Sequence, residues 1–306
     1  MKKSKRFSKN LARVVLLLNF LFFLPSCTLQ KEPYDRTRVE RKIVTGLKRG
    51  QDLDSLTHIE GNTLYIYAAV KEPILEIQPI PTIPGQGDAE REPLTFSFVD
   101  STYEENKFKL LYEIQTSDED QVAGRKFFKN ITSNYSAYAQ EIMSNIYLSL
   151  REVLTDSLEK FNFFVIYIAD ISRGIAMKTT INERDLKKYF TGLLPDFEFY
   201  KRVVIGVQGD KAIIDDSQAK HMEYKDIILG DFINELFVYT LSRGLPPPTQ
   251  AAESPPTPVE QIVKLFDKIT SNYDFTTYRS LCLRDMATEE ETCLSSGQIK
   301  EMFNGQ

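Results

Sequence analysis

The chain contains no tryptophan, only two histidines and only three cysteines in 306 residues. With His58 and His221 as the whole histidine set, a His-rich metal centre is excluded, and three cysteines cannot make a four-Cys zinc site. No H-E-x-x-H, G-x-S-x-G or G-x-G-x-x-G pattern occurs, which removes the commonest zinc-hydrolase, serine-hydrolase and dinucleotide-binding signatures. Two loose S-x-x-K matches, at Ser157–Lys160 and Ser217–Lys220, lack the S-D-N and K-T-G patterns that would give them catalytic meaning. Acidic runs are easy to find, at Asp118-Glu119-Asp120, Asp215-Asp216 and Glu289-Glu290-Glu291, but none has calcium-loop spacing. Neighbouring side chains on an extended strand point to opposite faces, so Asp215-Asp216 reads as a polar turn. Neither histidine is joined to a catalytic motif. No catalytic residue, metal ligand or cofactor is assigned.

A surplus of positive charge is missing too. The formal net charge is −5, and six basic residues (Lys2, Lys3, Lys5, Arg6, Lys9, Arg13) crowd the first 26 positions without one acid. Setting those six aside from the 38 basic residues leaves 32 against 43 acidic ones, or −11 from Cys27 onward. Such a balance argues against nucleic acid as a partner, because phosphate binding needs a basic face.

The basic segment leads into the apolar run Val14–Leu24, then Pro25, Ser26 and Cys27. A helix over that run spans roughly 16 Å, against about 30 Å of bilayer hydrocarbon, so it is too short to cross. A basic flank, a short apolar core and a small residue before the break form an export signal. In this segment the sequence resembles a bacterial lipoprotein precursor, with Leu24-Pro25-Ser26-Cys27 similar to a lipobox. The resemblance implies removal of residues 1–26 and lipidation of Cys27, whose several acyl chains would anchor the chain stably in a membrane. Thr28, not Asp, follows the cysteine, which by the same resemblance implies the outer membrane. The likeness covers the targeting segment alone.

Export agrees with the remaining cysteines. Cys282 and Cys293 are a potential disulfide in an oxidising compartment, the alternative being two unrelated reduced thiols.

Periodicity organises the rest. Residues 27–37 read as a polar tether and Arg38–Lys48 as a helix with Val39, Ile43, Val44 and Leu47 on one side. Thr63–Val70 reads as a strand after the Gly61-Asn62 turn, Glu72–Asp88 as a Pro-broken edge segment, and Leu94–Val99 and Lys107–Ile114 as further strands. The clearest helix is Ser136–Lys160, with Ile142, Ile146, Leu150, Val153 and Leu158 at helical spacing, running into a buried strand at Phe161–Ala169. A strand at Gly174–Thr180 precedes a short helix started by Asn182 and Asp185. Phe197–Val207 and Lys211–Ile214 around Gln208-Gly209-Asp210 suggest a hairpin. Asp231 caps a helix through Ser242, with Ile233, Leu236, Phe237 and Leu241 on one face; a strand at Leu236–Thr240 competes. Tyr65 and Tyr67 share one strand face, and Tyr135, Tyr138 and Tyr147 lie along the long helix; core packing or a contact surface both fit them.

The order of elements, without a βαβ repeat, predicts an α+β fold: a mixed or antiparallel sheet packed with a long helix. Six prolines between Leu245 and Pro258 read as an extended linker from a 38–244 body to a small helical module at 259–306. Within that module Ile262, Leu265, Phe266 and Ile269 form one apolar helix face, offered either to a partner or to the main body. The expected role is non-catalytic: a lipid-anchored periplasmic accessory or scaffold protein making protein contacts in an outer-membrane or cell-envelope assembly. A ligand-binding lipoprotein for a peptide, glycan or lipid is the alternative, and an envelope hydrolase a third. No sequence feature sets an oligomeric state.

Overall fold

A computed structural model of the chain describes residues 36–51, 53–76, 94–115, 135–156, 160–245 and 256–303. The export signal, Cys27, most of the tether, the Pro-rich segment from residue 77, Asp118-Glu119-Asp120 and residues 246–255 lie outside the described residues.

The described elements are seven helices and nine strands. They run α1 (Arg36–Gln51), β1 (Ser55–Glu60), β2 (Thr63–Val70), β3 (Phe96–Glu104), β4 (Lys107–Ile114), α2 (Ala137–Asp156), β5 (Phe163–Asp170), β6 (Ile175–Asn182), α3 (Glu183–Phe190), α4 (Asp196–Tyr200), β7 (Val204–Gly209), α5 (Leu229–Ser242), α6 (Pro258–Asn272), β8 (Ser280–Asp285), β9 (Glu291–Ser295) and α7 (Ser296–Phe303). Two mixed sheets result: β1-β2-β5-β6-β7 and β3-β4-β8-β9. Each contains one parallel pair, β2 with β5 and β4 with β8. The protein is α+β.

β5 is buried along its whole length because both faces of its sheet are covered. One face carries Leu64, Ile66, Ala68, Phe164, Ile166 and Ile168, all fully buried. It meets the apolar stripes of α1 (Val39, Ile43, Leu47) and α2 (Ile142, Ile146, Leu150, Val153), at the spacing expected of amphipathic helices. Ser136 starts α2 by accepting the Ala139 N–H at 3.1 Å. The other face, with Tyr65, Tyr67, Phe163, Val165 and Tyr167, joins a core shared with α5, α6 and the second sheet. A chain of rings crosses that core: Phe163 to Phe232, Phe237 to Phe266, and Phe266 to Phe108, with centroids 5.1, 5.2 and 4.9 Å apart. Edge-to-face and tilted contacts of this kind add to the area the rings bury.

Three expectations are corrected. The hairpin around Gln208-Gly209-Asp210 does not form: Asp196–Tyr200 is a helical turn, β7 pairs with β6, and Lys211–Ile213 is a 3₁₀ turn. Asp210 ends the strand there by accepting the Ala212 N–H at 2.9 Å, a local bond that competes with a returning ladder. Asn182 caps α3 as expected, accepting the Arg184 N–H at 3.0 Å, but Asp185 turns inward. It accepts from the Tyr273 hydroxyl at 2.6 Å and pairs with Arg202 at 3.3 Å, which ties α3 to the end of α6.

The third correction concerns the C-terminal module. Residues 258–303 are not an appendage but part of the 35–306 body. β8 is inserted beside β4, with Leu281 opposite Phe108 and Leu283 opposite Leu110, and all four side chains are buried. A capping box starts α6: Glu260 N–H donates to Thr257 Oγ1 and Thr257 N–H to Glu260 Oε2, with Pro258 at the first helical position. Ile262 and Phe266 have no exposed surface and Ile269 has 5%, while Leu265 is half-buried. Their apolar face serves the body, not a partner. Phe266→Ala is expected to cost about 3–5 kcal/mol in urea unfolding, as for other buried aromatics. Deletion of residues 246–306 should abolish the cooperative transition altogether; an intact transition would restore the separate-module reading.

Candidate functional site

A group of polar and titratable side chains gathers where β2 meets the irregular segment 213–228. Gly61 sets up this approach. Its φ of 57° turns β1 into β2, and a Cβ there would come within 2.2 Å of the Asp226 carboxylate. Asp226 Oδ1 instead accepts from the Asn62 N–H at 2.9 Å and the Thr63 hydroxyl at 3.2 Å.

Thr63, Tyr65 and Tyr67 then occupy alternate positions of β2 and so share one face. Each bonds the backbone of the segment across it. Thr63 Oγ1 accepts the Ile227 N–H at 2.9 Å. The Tyr65 hydroxyl donates to the Lys225 carbonyl at 2.7 Å and accepts the Lys225 N–H at 3.0 Å. The Tyr67 hydroxyl donates to the Asp216 carbonyl at 2.6 Å. Burial, with the neighbouring Asp216 charge, raises the Tyr67 ionisation well above the ordinary phenol range, so this donor keeps its proton.

At the far end sits an acid–imidazole pair. Asp216 Oδ1 accepts the Lys220 N–H and Oδ2 the His221 N–H, each at 3.0 Å, and Oδ2 also meets His221 Nδ1. Both side chains are only 8% exposed. Burial opposes the Asp216 charge, but the bond from the His221 ring and the two backbone N–H groups outweigh it and hold the pKa down to about 2. His221 Nε2 is buried and has no hydrogen-bond partner among the described residues. The second histidine reaches the same cluster by another route: His58, opposite Tyr65 on β1, contacts the Tyr224 ring at 4.2 Å, and Tyr224 meets Tyr65 edge-on at 5.0 Å. Sequence distance hid this gathering of both histidines, because no motif spans 58 to 221.

An imidazole oriented by a carboxylate is the base half of a nucleophilic triad. Catalysis would also need a hydroxyl or thiol on Nε2, and no described residue supplies one. In this conformation the pair closes the turn at 215–221. Asp215 does take a turn conformation, with φ 58°, as the sequence suggested, although Asp216 is more than a polar turn residue.

The other sequence-selected residues fall elsewhere. Cys282 and Cys293 stand opposite each other on β8 and β9, joined by a disulfide with Cα atoms 4.0 Å apart. Glu291 lies beside them, but bonded sulfurs do not offer thiolate ligands to a metal. The sequence reading did not single out Leu193 and Phe197, which are 77% and 71% exposed, with Tyr200 at 48%. They share the α3–α4 knuckle with Leu194 and Phe199, which point inward. The signal was present in Leu-Leu-Pro-Asp-Phe-Glu-Phe-Tyr: one helical turn cannot bury every apolar side chain on it. Lys201 lies over the Phe197 ring, 3.6 Å from its centroid.

The fold defines an α+β protein of two mixed sheets joined through a shared core. No protein-family model, curated protein or solved structure matches the chain. Among the described residues no helix is long and apolar enough to cross a membrane.

The clasp at Asp216 makes a pH prediction. A carboxyl held from 3.8 down to about 2 contributes stability that is complete above 3.8 and is lost as the pH falls through about 2. Asp216→Asn should therefore unfold at lower urea than the parent at pH 6, with the gap closing by pH 2. A gap independent of pH would remove the proposed role of the charge. Tyr67→Phe, which leaves the Asp216 carbonyl without its donor, should cost about 1–2 kcal/mol at either pH.

Proposed function

We propose that the chain is a lipid-anchored accessory protein of the cell envelope that acts by holding a protein partner, not by catalysis. The export-type segment and Cys27 support the anchor, with the periplasmic face of the outer membrane as its site. The observation that carries the binding role is the exposure of Leu193, Phe197 and Tyr200 within eight residues of sequence, the first two being the most exposed large apolar side chains among the described residues. Large apolar side chains gathered on one exposed turn are the composition of a contact centre.

The folding of α6 into the core moves the expected contact from Ile262, Leu265, Phe266 and Ile269 to this knuckle. Anchoring confines the search for a partner to the membrane and raises its effective concentration, so a modest patch is enough for occupancy. Lys201 beside Phe197 and Glu198 gives the patch a polar rim of both signs.

A photo-crosslinking residue at position 197 of the membrane-borne chain should capture a discrete envelope protein. Phe197→Glu, on a side chain already in water, should lower recovery of that protein at least tenfold without shifting the unfolding midpoint. Diffuse labelling without a discrete adduct would overturn the contact. The anchor is tested separately: the mature N-terminal peptide should begin at a lipidated Cys27, and Cys27→Ala should release the chain from membranes. A mature terminus at unmodified Ser26 or Met1 defeats it.

A further inference from the structure

We propose that β7 is the seam along which two copies of this chain join edge to edge, running their five-stranded sheets together through an antiparallel β7–β7 pair. The inference stands apart from the lipid anchor and from the Phe197 surface.

The four sheet edges are not alike. β1 carries His58 and Glu60, and α1 packs against it. β3 carries Asp100 and Glu104, has a register break between Phe96 and Phe98, and lies along α5. β9 is five residues long, starts at Glu291 and is tied to β8 by the disulfide. Charge, bulges, shortness and covering elements are the usual means by which an edge resists pairing. β7, Val-Ile-Gly-Val-Gln-Gly, is also touched by α5, more sparsely than β3 is, but has no charged residue, no proline and no register break.

Its free side is also open. Asp210 N–H donates to the Gly174 carbonyl at 2.9 Å, which extends the β6–β7 ladder and sets its phase. In an antiparallel ladder the bonded residues alternate, so Gly206 and Gln208 face β6 while Ile205, Val207 and Gly209 turn their N–H and C=O groups outward. Among the described residues nothing bonds those outward groups. An uncovered row of donors and acceptors is a template for another strand.

Self-complementarity selects a second copy as the occupant. A two-fold axis through Gly206 sets Ile205 opposite Val207 of the other copy and Val204 opposite Gln208, so the exposed outward groups meet their counterparts. β-Branched residues face each other on the α1–α2 side, where both are half-buried in the single chain and gain cover. On the other side Gly206 faces Gly206, and a Cβ built there meets nothing within 4 Å. No charge of either sign is brought opposite a like charge within the strand.

The test uses the full chain in membranes. Directly opposite, non-bonded residues of an antiparallel pair lie roughly 4.5 Å apart at Cα. Gly206→Cys should thus form a reducible homodimer on mild oxidation, as Cys282 and Cys293 already pair across β8 and β9. Gln208→Cys, which does not meet its own copy in this register, should give at least tenfold less. Adding Ile205→Pro removes an outward N–H without touching the β6 ladder and should abolish the dimer while the thermal midpoint of the body stays near that of the parent. Val207→Lys, which keeps every backbone donor, should do the same and covers the case in which proline disturbs the fold. No dimer from Gly206→Cys, equal yields at 206 and 208, or a dimer that survives Val207→Lys would overturn the seam. An adduct with a different protein in place of the homodimer would overturn it as well, showing that the edge takes a foreign strand.

Discussion

Much of this architecture depends on three hydroxyls spaced two residues apart. Thr63, Tyr65 and Tyr67 hold a segment without regular secondary structure against the five-stranded sheet. Buried backbone outside helices and strands must find partners for its N–H and C=O groups, and side-chain hydroxyls are among the few groups that can both donate and accept. Tyr65 does both with one residue, Lys225. Because segment 213–228 is fixed in this way, Ile227 is buried and α5 begins at Leu229 aimed across the sheet. The ring of Phe232 then reaches Phe163, and the second sheet is bound to the first through α5 and α6. Loss of the hydroxyl ladder would therefore act well beyond β2.

The parts of the fold visible in the sequence are those governed by a local period. Thr63–Val70 and Lys107–Ile114 are strands over the expected residues, and α1, α2 and α5 bury most of the positions that helical spacing marked, with Val44 half-buried and Leu158 outside the described residues. What periodicity cannot supply is the choice of neighbour. Tyr65 and Tyr67 were placed on one face, but whether that face met solvent, ligand or core depended on a segment 150 residues away in the chain. Asp216 and His221 looked like unrelated polar residues for the same reason: their pairing is made by the turn between them, and its burial by Tyr67. The exposed Phe197 was missed because its segment reads as strand, while Pro195 and the tie from Arg202 to Asp185 bend it into a single helical turn.

Proline content misled the division into domains in an instructive way. Six prolines between 245 and 258 interrupt the helical and strand patterning of the sequence. They say nothing about whether the flanking pieces are independent. Here the stretch starts at Leu245, which bridges to Leu94 through bonds of 2.8 and 3.1 Å, and ends at the Thr257 cap of α6. Both ends are fixed to one body, so the segment is a crossover between elements of a single core.

The same logic gives the Asp216–His221 pair a structural role in the turn at 215–221. Its carboxylate accepts from two backbone N–H groups and a ring nitrogen, and its imidazole buries an Nε2 that has no hydrogen-bond partner among the described residues. Burying an unpaired ring nitrogen is a cost, set against a carboxylate that accepts three bonds and a tyrosine that fixes the same turn from below. A gain on one histidine nitrogen at the expense of the other is what structural clasps show. The two surfaces proposed for interaction are of another kind: the apolar knuckle at Leu193 and Phe197, and the uncharged edge at β7. Both would make contacts through shape and backbone rather than through reactive side chains.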